Sequence, residues 1–194
     1  MKRRNFVKTA ALGTAAASLS CAGVTGKKVI APSPERMTYS ILGKTGLKVS
    51  RLAFGSHLNK RNMANTEERD RQIQFGVEMG INFFDIYDHT YGQFGPMSKS
   101  LKNHPHTLIS LYMDAKAEEV EKRIDEILRL FGRERIDCIR TMTEGEEYRK
   151  LDELLRMKAK GKISAAGIAH HWEEAFVQAI RKYGTDLDYL MFPY

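Results

Sequence analysis

The sequence predicts an α/β protein built on a parallel sheet. From about residue 51 to residue 192, short apolar runs alternate with longer segments whose apolar residues recur at helical spacing. Such alternation is typical of strand–helix–strand units, in which right-handed crossovers join parallel strands. In addition, no G-x-G-x-x-G loop follows the first of these strands, where Gly55-Ser56-His57 stands instead. This favours a closed barrel over an open doubly wound sheet.

The elements follow one another along the chain in a regular order. A hairpin is predicted first, because two alternating runs flank Gly43-Lys44-Thr45-Gly46. The strands predicted after it span residues 51–55, 82–85, 107–112, 136–141, 163–169 and 187–192. The predicted helices span residues 66–79, 96–102, 115–131, 148–159 and 172–182. Gly132 and Gly161 mark the ends of the third and fourth helices.

This series gives six strand–helix units, less the last helix, after the N-terminal hairpin. A complete (β/α)8 barrel of the TIM type takes roughly 250 residues, and this chain has 194. Its last residues, D-L-D-Y-L-M-F-P-Y, are strand-like and have no polar tail. The sequence therefore predicts an incomplete TIM-type barrel with about six of the eight units.

The N-terminus has the pattern of an export signal. A basic head is followed by the uncharged, mostly small and apolar run 9–23, which is too short to span a bilayer. Arg3-Arg4, with Phe6 and Lys8 behind them, resembles a twin-arginine signal, and an ordinary secretory signal is the alternative. We expect a signal peptide at 1–22, a flexible linker at 23–36 and a barrel domain at 37–194. The twin-arginine export machinery would then deliver the protein to the periplasm or the cell envelope.

The two cysteines have different expected roles. Cys21 follows Ser18-Leu19-Ser20, which resembles a lipoprotein cleavage site, so a lipid on Cys21 and simple cleavage nearby are both open. A lipid there is the one membrane attachment we expect. Cys138 falls in a predicted buried strand and is expected to be a core residue.

The net charge of +7 does not indicate nucleic-acid binding. Removal of residues 1–21 takes away four basic and no acidic residues, which leaves about +3. The remaining chain has no long Lys/Arg run and no nucleic-acid reader motif.

The segment Gly80 to Gly92, G-I-N-F-F-D-I-Y-D-H-T-Y-G, carries the clearest chemistry. Asp85 is expected at the end of a short buried strand, and Tyr91-Gly92 follow in the next loop. A carboxylate and a phenol held together at a strand end can form a proton-transfer pair. The alternative is an aromatic strand end followed by polar loop residues without chemistry.

Several segments in the correct order resemble the aldo-keto reductase family. They are L-G-K-T-G-L-K-V-S-R-L-A-F-G at 42–55, G-I-N-F-F-D at 80–85, Tyr91-Gly92, and L-L-R-M-K-A-K-G-K-I-S-A-A-G-I at 154–168. The resemblance implies NADP(H)-dependent reduction of aldehydes or ketones, or oxidation of alcohols, at the C-terminal face of the barrel. It assigns proton transfer to Tyr91 and its charged partner to Asp85. It also implies cofactor contacts at Gly55, Ser56 and His170.

Other positions depart from the family pattern. Leu111-Tyr112 stand where its Lys is expected, and Met142 where its His is expected. Ala169-His170 replace Ser-Asn, and Met191 replaces a Gln that holds the cofactor amide. Tyr91 also follows Asp85 by one residue more than usual. The resemblance therefore implies a degenerate catalytic tetrad and impaired activity.

Two other interpretations remain open. One is a catalytically inactive barrel that binds a ligand or a partner at the cell envelope. The other is a decaying gene product that does not fold alone, because six strands leave two sheet edges unpaired. His89, His170 and His171 match no metal-ligand spacing, so we expect solvated loop residues there rather than a metal site.

Overall fold

The computed structural model describes residues 33–56, 66–87, 94–143 and 146–193. The strands are β1 (Tyr39–Ile41), β2 (Lys48–Ser50), β3 (Phe54–Gly55), β4 (Phe83–Tyr87), β5 (Leu108–Tyr112), β6 (Ile136–Thr141), β7 (Ile163–Ala169) and β8 (Tyr189–Met191). The α-helices are α1 (Thr66–Glu78), α2 (Phe94–Leu101), α3 (Val120–Phe131), α4 (Glu146–Ala159) and α5 (Glu173–Tyr183). Short 3-10 helices lie at Pro34–Arg36, Ala117–Glu119 and Gly184–Asp186.

The barrel strands form one parallel sheet in the order β3-β4-β5-β6-β7-β8. Strands β1 and β2 form a separate antiparallel hairpin. Six parallel strands joined by helices make a half-barrel, which confirms the predicted fold class and the predicted N-terminal hairpin.

Strand and helix limits differ from the prediction by a few residues. The largest functional consequence is at β4, which we expected to end at Asp85 and which continues to Tyr87. The extension is explained by parallel pairing with β5, where Ile86 lies opposite Leu111 and Tyr87 opposite Tyr112. Asp85 therefore lies inside the strand rather than at its end. The first turn of the predicted helix 115–131 is a 3-10 turn, and β3 and β8 are shorter than predicted.

The main hydrophobic core lies between the outer face of the sheet and the helices. Strand residues such as Phe84 and Ile109 and helix residues such as Ile124 and Leu101 are fully buried in one cluster. Full burial of a side chain of this size contributes about 1.5–3 kcal/mol. The helices therefore hold the sheet curved, and the inner face of the sheet is left to carry polar groups.

The hairpin covers the amino-terminal end of that inner face. Leu42, Leu47 and Val49 pack against a buried cluster that includes Phe83 and Cys138. Cys138 is a free, fully buried thiol, as predicted, and burial raises its pKa, so it stays protonated.

Asn82 attaches the hairpin to β4. Its side-chain amide donates to the carbonyl of Lys48 at 2.8 Å, and its side-chain oxygen accepts the N–H of Ser50 at 2.7 Å. Its own backbone N–H donates to the Ser50 hydroxyl at 3.1 Å. These three bonds fix the hairpin at the start of the strand that carries Asp85.

Asp137, near the start of β6, is a half-buried carboxyl whose pKa is raised. Its Oδ2 accepts the N–H of Ile109 at 2.9 Å. Burial raises its pKa, and the Ile109 N–H and the charges of Arg133 and Arg135 oppose the rise without cancelling it. A raised pKa in the folded state favours folding below the unfolded pKa, and this contribution is lost as the pH rises through the folded pKa.

The substitution Asp137→Asn should therefore change the pH dependence of stability. An amide keeps an acceptor for the Ile109 N–H and cannot ionise. Relative to wild type, we expect the variant to become progressively more stable as the pH rises from about 4 toward neutrality. Urea unfolding at a series of pH values measures this difference. A difference between the two proteins that stays constant over the series would contradict the assignment.

The described residues contain no helix that is long and apolar enough to cross a bilayer. The predicted signal peptide, Cys21 and most of the predicted linker lie outside the described residues. At the end of that linker, Pro34–Arg36 form one 3-10 turn.

Candidate functional site

A cleft of about 430 Å³ opens where the carboxyl ends of the strands meet. Its walls come from the ends of β4, β5, β6, β7 and β8. They are Tyr87, Tyr112, Met142, Ala169, His170, His171, Met191, Phe192 and Pro193. A concave, mostly apolar cleft of this size with a few polar groups is typical of a site for a small organic ligand.

A buried ion pair lies on the inner face of the sheet. The Arg140 guanidinium on β6 donates to both carboxylate oxygens of Asp85 on β4, at 2.5 and 2.9 Å. The Ser110 hydroxyl on β5 donates to the same carboxylate at 2.9 Å. Arg140 is fully buried, and the Asp85 side chain is 12% exposed. One charged pair thus joins three adjacent strands.

Two phenol rings lie against this guanidinium. The carbon at its centre is 5.3 Å from the ring centroid of Tyr87 and 5.8 Å from that of Tyr112. The two rings lie with centroids 5.6 Å apart. Both also form part of the cleft wall. The charged pair is therefore connected to the cleft through two tyrosines.

Arg140 keeps its charge despite complete burial. Burial alone would lower its pKa, but Asp85, Tyr189 and Tyr87 outweigh that effect and the pKa is raised. Tyr189 is a third phenol on the inner face, and burial raises its pKa well above the usual value. The phenol of Tyr189 therefore stays protonated in the folded protein.

His170, at the end of β7, is buried rather than solvated as we expected. Its Nδ1 accepts the backbone N–H of Trp172 at 3.0 Å, and its ring meets Phe176 edge-on. An accepting Nδ1 means that the neutral ring carries its proton on Nε2. The chain reversal after β7 thus buries this ring at the wall of the cleft. His171, in contrast, is exposed and also lines the cleft.

The other predicted site residues are only partly brought together. Ser56 is fully buried, and its hydroxyl accepts the N–H of Tyr87 at 3.0 Å, so this side chain positions β4. Gly55 lies beside Asp85 in the sheet register. Tyr91, His57, Asp88 and His89 lie outside the described residues. Within the described ranges, no group of three or more potential metal-ligating side chains occurs.

Four residues of the cleft wall stand where the resemblance implies other residue types. They are Tyr112, Met142, Ala169 and Met191. The prediction missed Arg140. The sequence did contain a signal, because an Arg within the strand Ile136–Thr141 is a charge at a position expected to be buried and needs an acidic partner.

Comparisons with known proteins give information on the fold. No family model matches the chain. A stretch of 49 residues is 43% identical to an Arabidopsis thaliana protein named "Probable voltage-gated potassium channel subunit beta". That stretch covers 25% of this chain and 15% of the plant protein.

Solved structures match over most of the described chain. A "putative aldo-keto reductase" from Pseudomonas aeruginosa superposes with a TM-score of 0.69 at 20% identity, over 80% of this chain and 67% of that one. An aldo-keto reductase from Bacillus halodurans superposes with a TM-score of 0.63 at 18% identity, over 82% of this chain and 56% of that one. An aldo-keto reductase from Brucella melitensis superposes with a TM-score of 0.67 at 14% identity, over 81% of this chain and 63% of that one. The chain spans about half to two thirds of the length of these reductases.

The protein thus belongs to the α/β class and forms a half-barrel, with its cleft at the carboxyl ends of the strands. More particularly, the chain has the aldo-keto reductase fold, with an N-terminal hairpin and six parallel strands.

Proposed function

We propose that the protein is an exported, NADP(H)-dependent oxidoreductase of the aldo-keto reductase type. It would interconvert small aldehydes or ketones and the corresponding alcohols. The observation that carries this proposal is the Asp85–Arg140 pair beneath the cleft, on a fold shared with solved aldo-keto reductases. This pair is connected to the cleft wall through the rings of Tyr87 and Tyr112.

The residues of the cleft are compatible with a nicotinamide ring. Tyr87 and Tyr112 give one wall aromatic faces, against which a flat ring can stack. The exposed His171 also lines the cleft, and an imidazole N–H is a donor of the type that a carboxamide oxygen needs. When bound, NADP(H) supplies or accepts the hydride.

Arg140 supplies the cation that the degenerate tetrad lacks. The family resemblance places a Lys at the end of β5, where Tyr112 stands. In the structure, the carboxylate of Asp85 is neutralised instead by a guanidinium from the next strand, β6. The family resemblance assigns the proton transfer to Tyr91.

We propose weak turnover rather than full activity. Met142 and Met191 line the cleft at positions where the resemblance implies a His and a Gln. A thioether cannot donate a hydrogen bond, so these positions cannot orient a carbonyl or hold an amide. Loss of such groups from acid–base catalysis costs roughly 10²–10⁴ in rate.

The second candidate is a binding module without chemistry at the cell envelope. The same two methionines, with the exposed Phe192, give the cleft an adaptable apolar wall.

The proposal of export rests on Arg3-Arg4, Phe6 and Lys8, and that of attachment to the cell envelope rests on Cys21. Fractionation of cells that express the full chain tests both, since recovery in the cytoplasm alone would rule out export.

Thermal melting of the full chain with NADPH distinguishes enzyme from binding module. At about 100 times the dissociation constant, a ligand that binds only the folded state stabilises it by about 2.7 kcal/mol. For a protein of this size we expect an upward shift of several degrees with NADPH and none with nicotinamide alone. NADH serves as the matched comparison for cofactor preference. A cooperative melt unchanged by either dinucleotide would favour the binding module.

A further inference from the structure

We propose that Tyr87 is the proton donor of the cleft, held in place by the Asp85–Arg140 pair. This inference rests on the proposed oxidoreductase function and identifies which phenol serves it. Tyr87 is a catalytic residue in this scheme, and Arg140 is a positioning residue.

The position of Tyr87 follows from the strand geometry. Tyr87 and Asp85 are two residues apart on β4, so both side chains lie on the same face of the sheet. The N–H of Tyr87 donates to the Ser56 hydroxyl at 3.0 Å, and its backbone pairs with Tyr112 on β5. The phenol is therefore carried by a rigid strand at the mouth of the half-barrel.

Tyr87 joins the charged pair to the cleft. Its ring centroid lies 5.3 Å from the Arg140 guanidinium, and its side chain lines the cleft. Tyr87 is also one of the groups that favour the charged form of Arg140. A cation held beside a phenol favours the phenolate that remains after proton transfer.

Asp85 keeps the guanidinium aimed at this phenol. Arg140 is fully buried and is held by two hydrogen bonds to the carboxylate. Its charge therefore cannot turn toward solvent and acts on the groups that face it. The ring centroid of Tyr112 lies 5.8 Å from the same guanidinium, so Tyr112 is the alternative donor to be compared with Tyr87.

In the proposed reduction, Tyr87 provides the proton and water restores it. The hydride that NADPH would supply when bound forms the new C–H bond at the carbonyl carbon, and the π-electron pair of the C=O bond moves to the oxygen. The Tyr87 O–H bond breaks as its proton passes to that oxygen. The products are an alcohol, the oxidised nicotinamide and a phenolate. Water then returns a proton to the phenolate.

The test compares Tyr87→Phe, Tyr112→Phe and Tyr91→Phe in the full chain. Each variant is assayed for NADPH oxidation with a panel of small aliphatic and aromatic aldehydes, and melted with and without NADPH. We expect Tyr87→Phe to lower kcat by roughly 10²–10⁴ with an unchanged NADPH-induced melting shift. Tyr112→Phe tests the neighbouring phenol, and a loss of kcat as large as that of Tyr87→Phe would overturn the inference.

The possible results separate this inference from the proposed function. Suppose that NADPH raises the melting temperature. If Tyr87→Phe then retains the wild-type kcat, or if Tyr91→Phe abolishes activity and Tyr87→Phe does not, the inference is overturned and the proposed oxidoreductase function is retained. If NADPH shifts the melt but wild type reduces no aldehyde, the inference is also overturned. If NADPH has no effect on the melt, the proposed function fails and the inference fails with it.

A spectroscopic comparison tests the role of Arg140 without turnover. The difference in near-ultraviolet circular dichroism between wild type and Tyr87→Phe reports how firmly this one ring is oriented. We expect the same difference to be weaker in an Arg140→Met background, because the guanidinium against which the ring lies is absent. Arg140→Lys, which keeps a charge, is the second variant in case Arg140→Met does not fold. A Tyr87 signal that is identical with and without the cation would overturn the positioning role.

Discussion

Replacing Arg140 by Met should lower the free energy of unfolding by about 3–5 kcal/mol, because it leaves the Asp85 carboxylate in the interior without its cation. The bidentate bonds at 2.5 and 2.9 Å satisfy both oxygens of that carboxylate. The Ser110 hydroxyl alone cannot replace them. Asp85→Asn should be costly for the complementary reason, since it leaves a fully buried guanidinium without an anion.

A double-mutant cycle separates the pair from its surroundings. We expect Asp85→Asn with Arg140→Met to cost little more than either single substitution, because the second change removes the charge that the first left unpaired. Urea denaturation of the four proteins measures the coupling. A surface pair gives the control: Arg71→Met removes exposed contacts to Glu67 and Glu68 and should cost at most about 1 kcal/mol. Additive costs for the buried pair would contradict this account.

Gly167→Ala should destabilise the sheet by about 1–3 kcal/mol or more through steric overlap. Gly167 on β7 lies opposite Tyr189 on β8. A Cβ at this position would stand 2.5 and 2.6 Å from two atoms of the Tyr189 ring and 2.7 Å from its carbonyl oxygen. The carbonyl oxygen belongs to the backbone, so the strand itself would have to move. The expected result is a lower melting temperature, together with faster hydrogen exchange of the backbone amides in β8.

Gly95→Ala is the matched control for this substitution. Gly95 is exposed near the start of α2, and an added Cβ there meets no atom within 4 Å. Alanine restricts the unfolded chain and favours a helix, so the variant should be as stable as wild type or more stable by up to about 1 kcal/mol. If Gly167→Ala has the same melting temperature as Gly95→Ala, β8 can move away from β7 without a cost in stability, which would contradict this prediction.

The order of strands and helices could be predicted from the sequence because the local patterns agree with one another. The limits of β6 and β7 were predicted without error, since their apolar runs are bounded by polar residues and by turn glycines such as Gly132 and Gly161. The end of β4 was placed two residues too early. Its last residues are held by pairing with Tyr112 and by the Ser56 hydroxyl, which are contacts between distant parts of the chain.

The candidate site was predictable only where it depends on strand ends. The cleft positions of Met142, Ala169 and Met191 follow from counting along strands. The pairing of Asp85 with Arg140 does not, because the two residues are 55 positions apart and meet across an intervening strand. The buried ring of His170 was also missed, since its burial depends on the turn through Trp172 and on contact with Phe176.

The sheet also has a consequence for how the protein is made. The strands lie side by side in the sheet in the same order in which they occur in the chain, from β3 to β8. Each strand that leaves the ribosome therefore finds its partner already synthesised, and no strand has to wait for a later one to be inserted beside it. Asn82 can link the hairpin to β4 before β5 to β8 have been synthesised. Assembly can thus proceed from the N-terminus by adding one strand at a time to a growing edge.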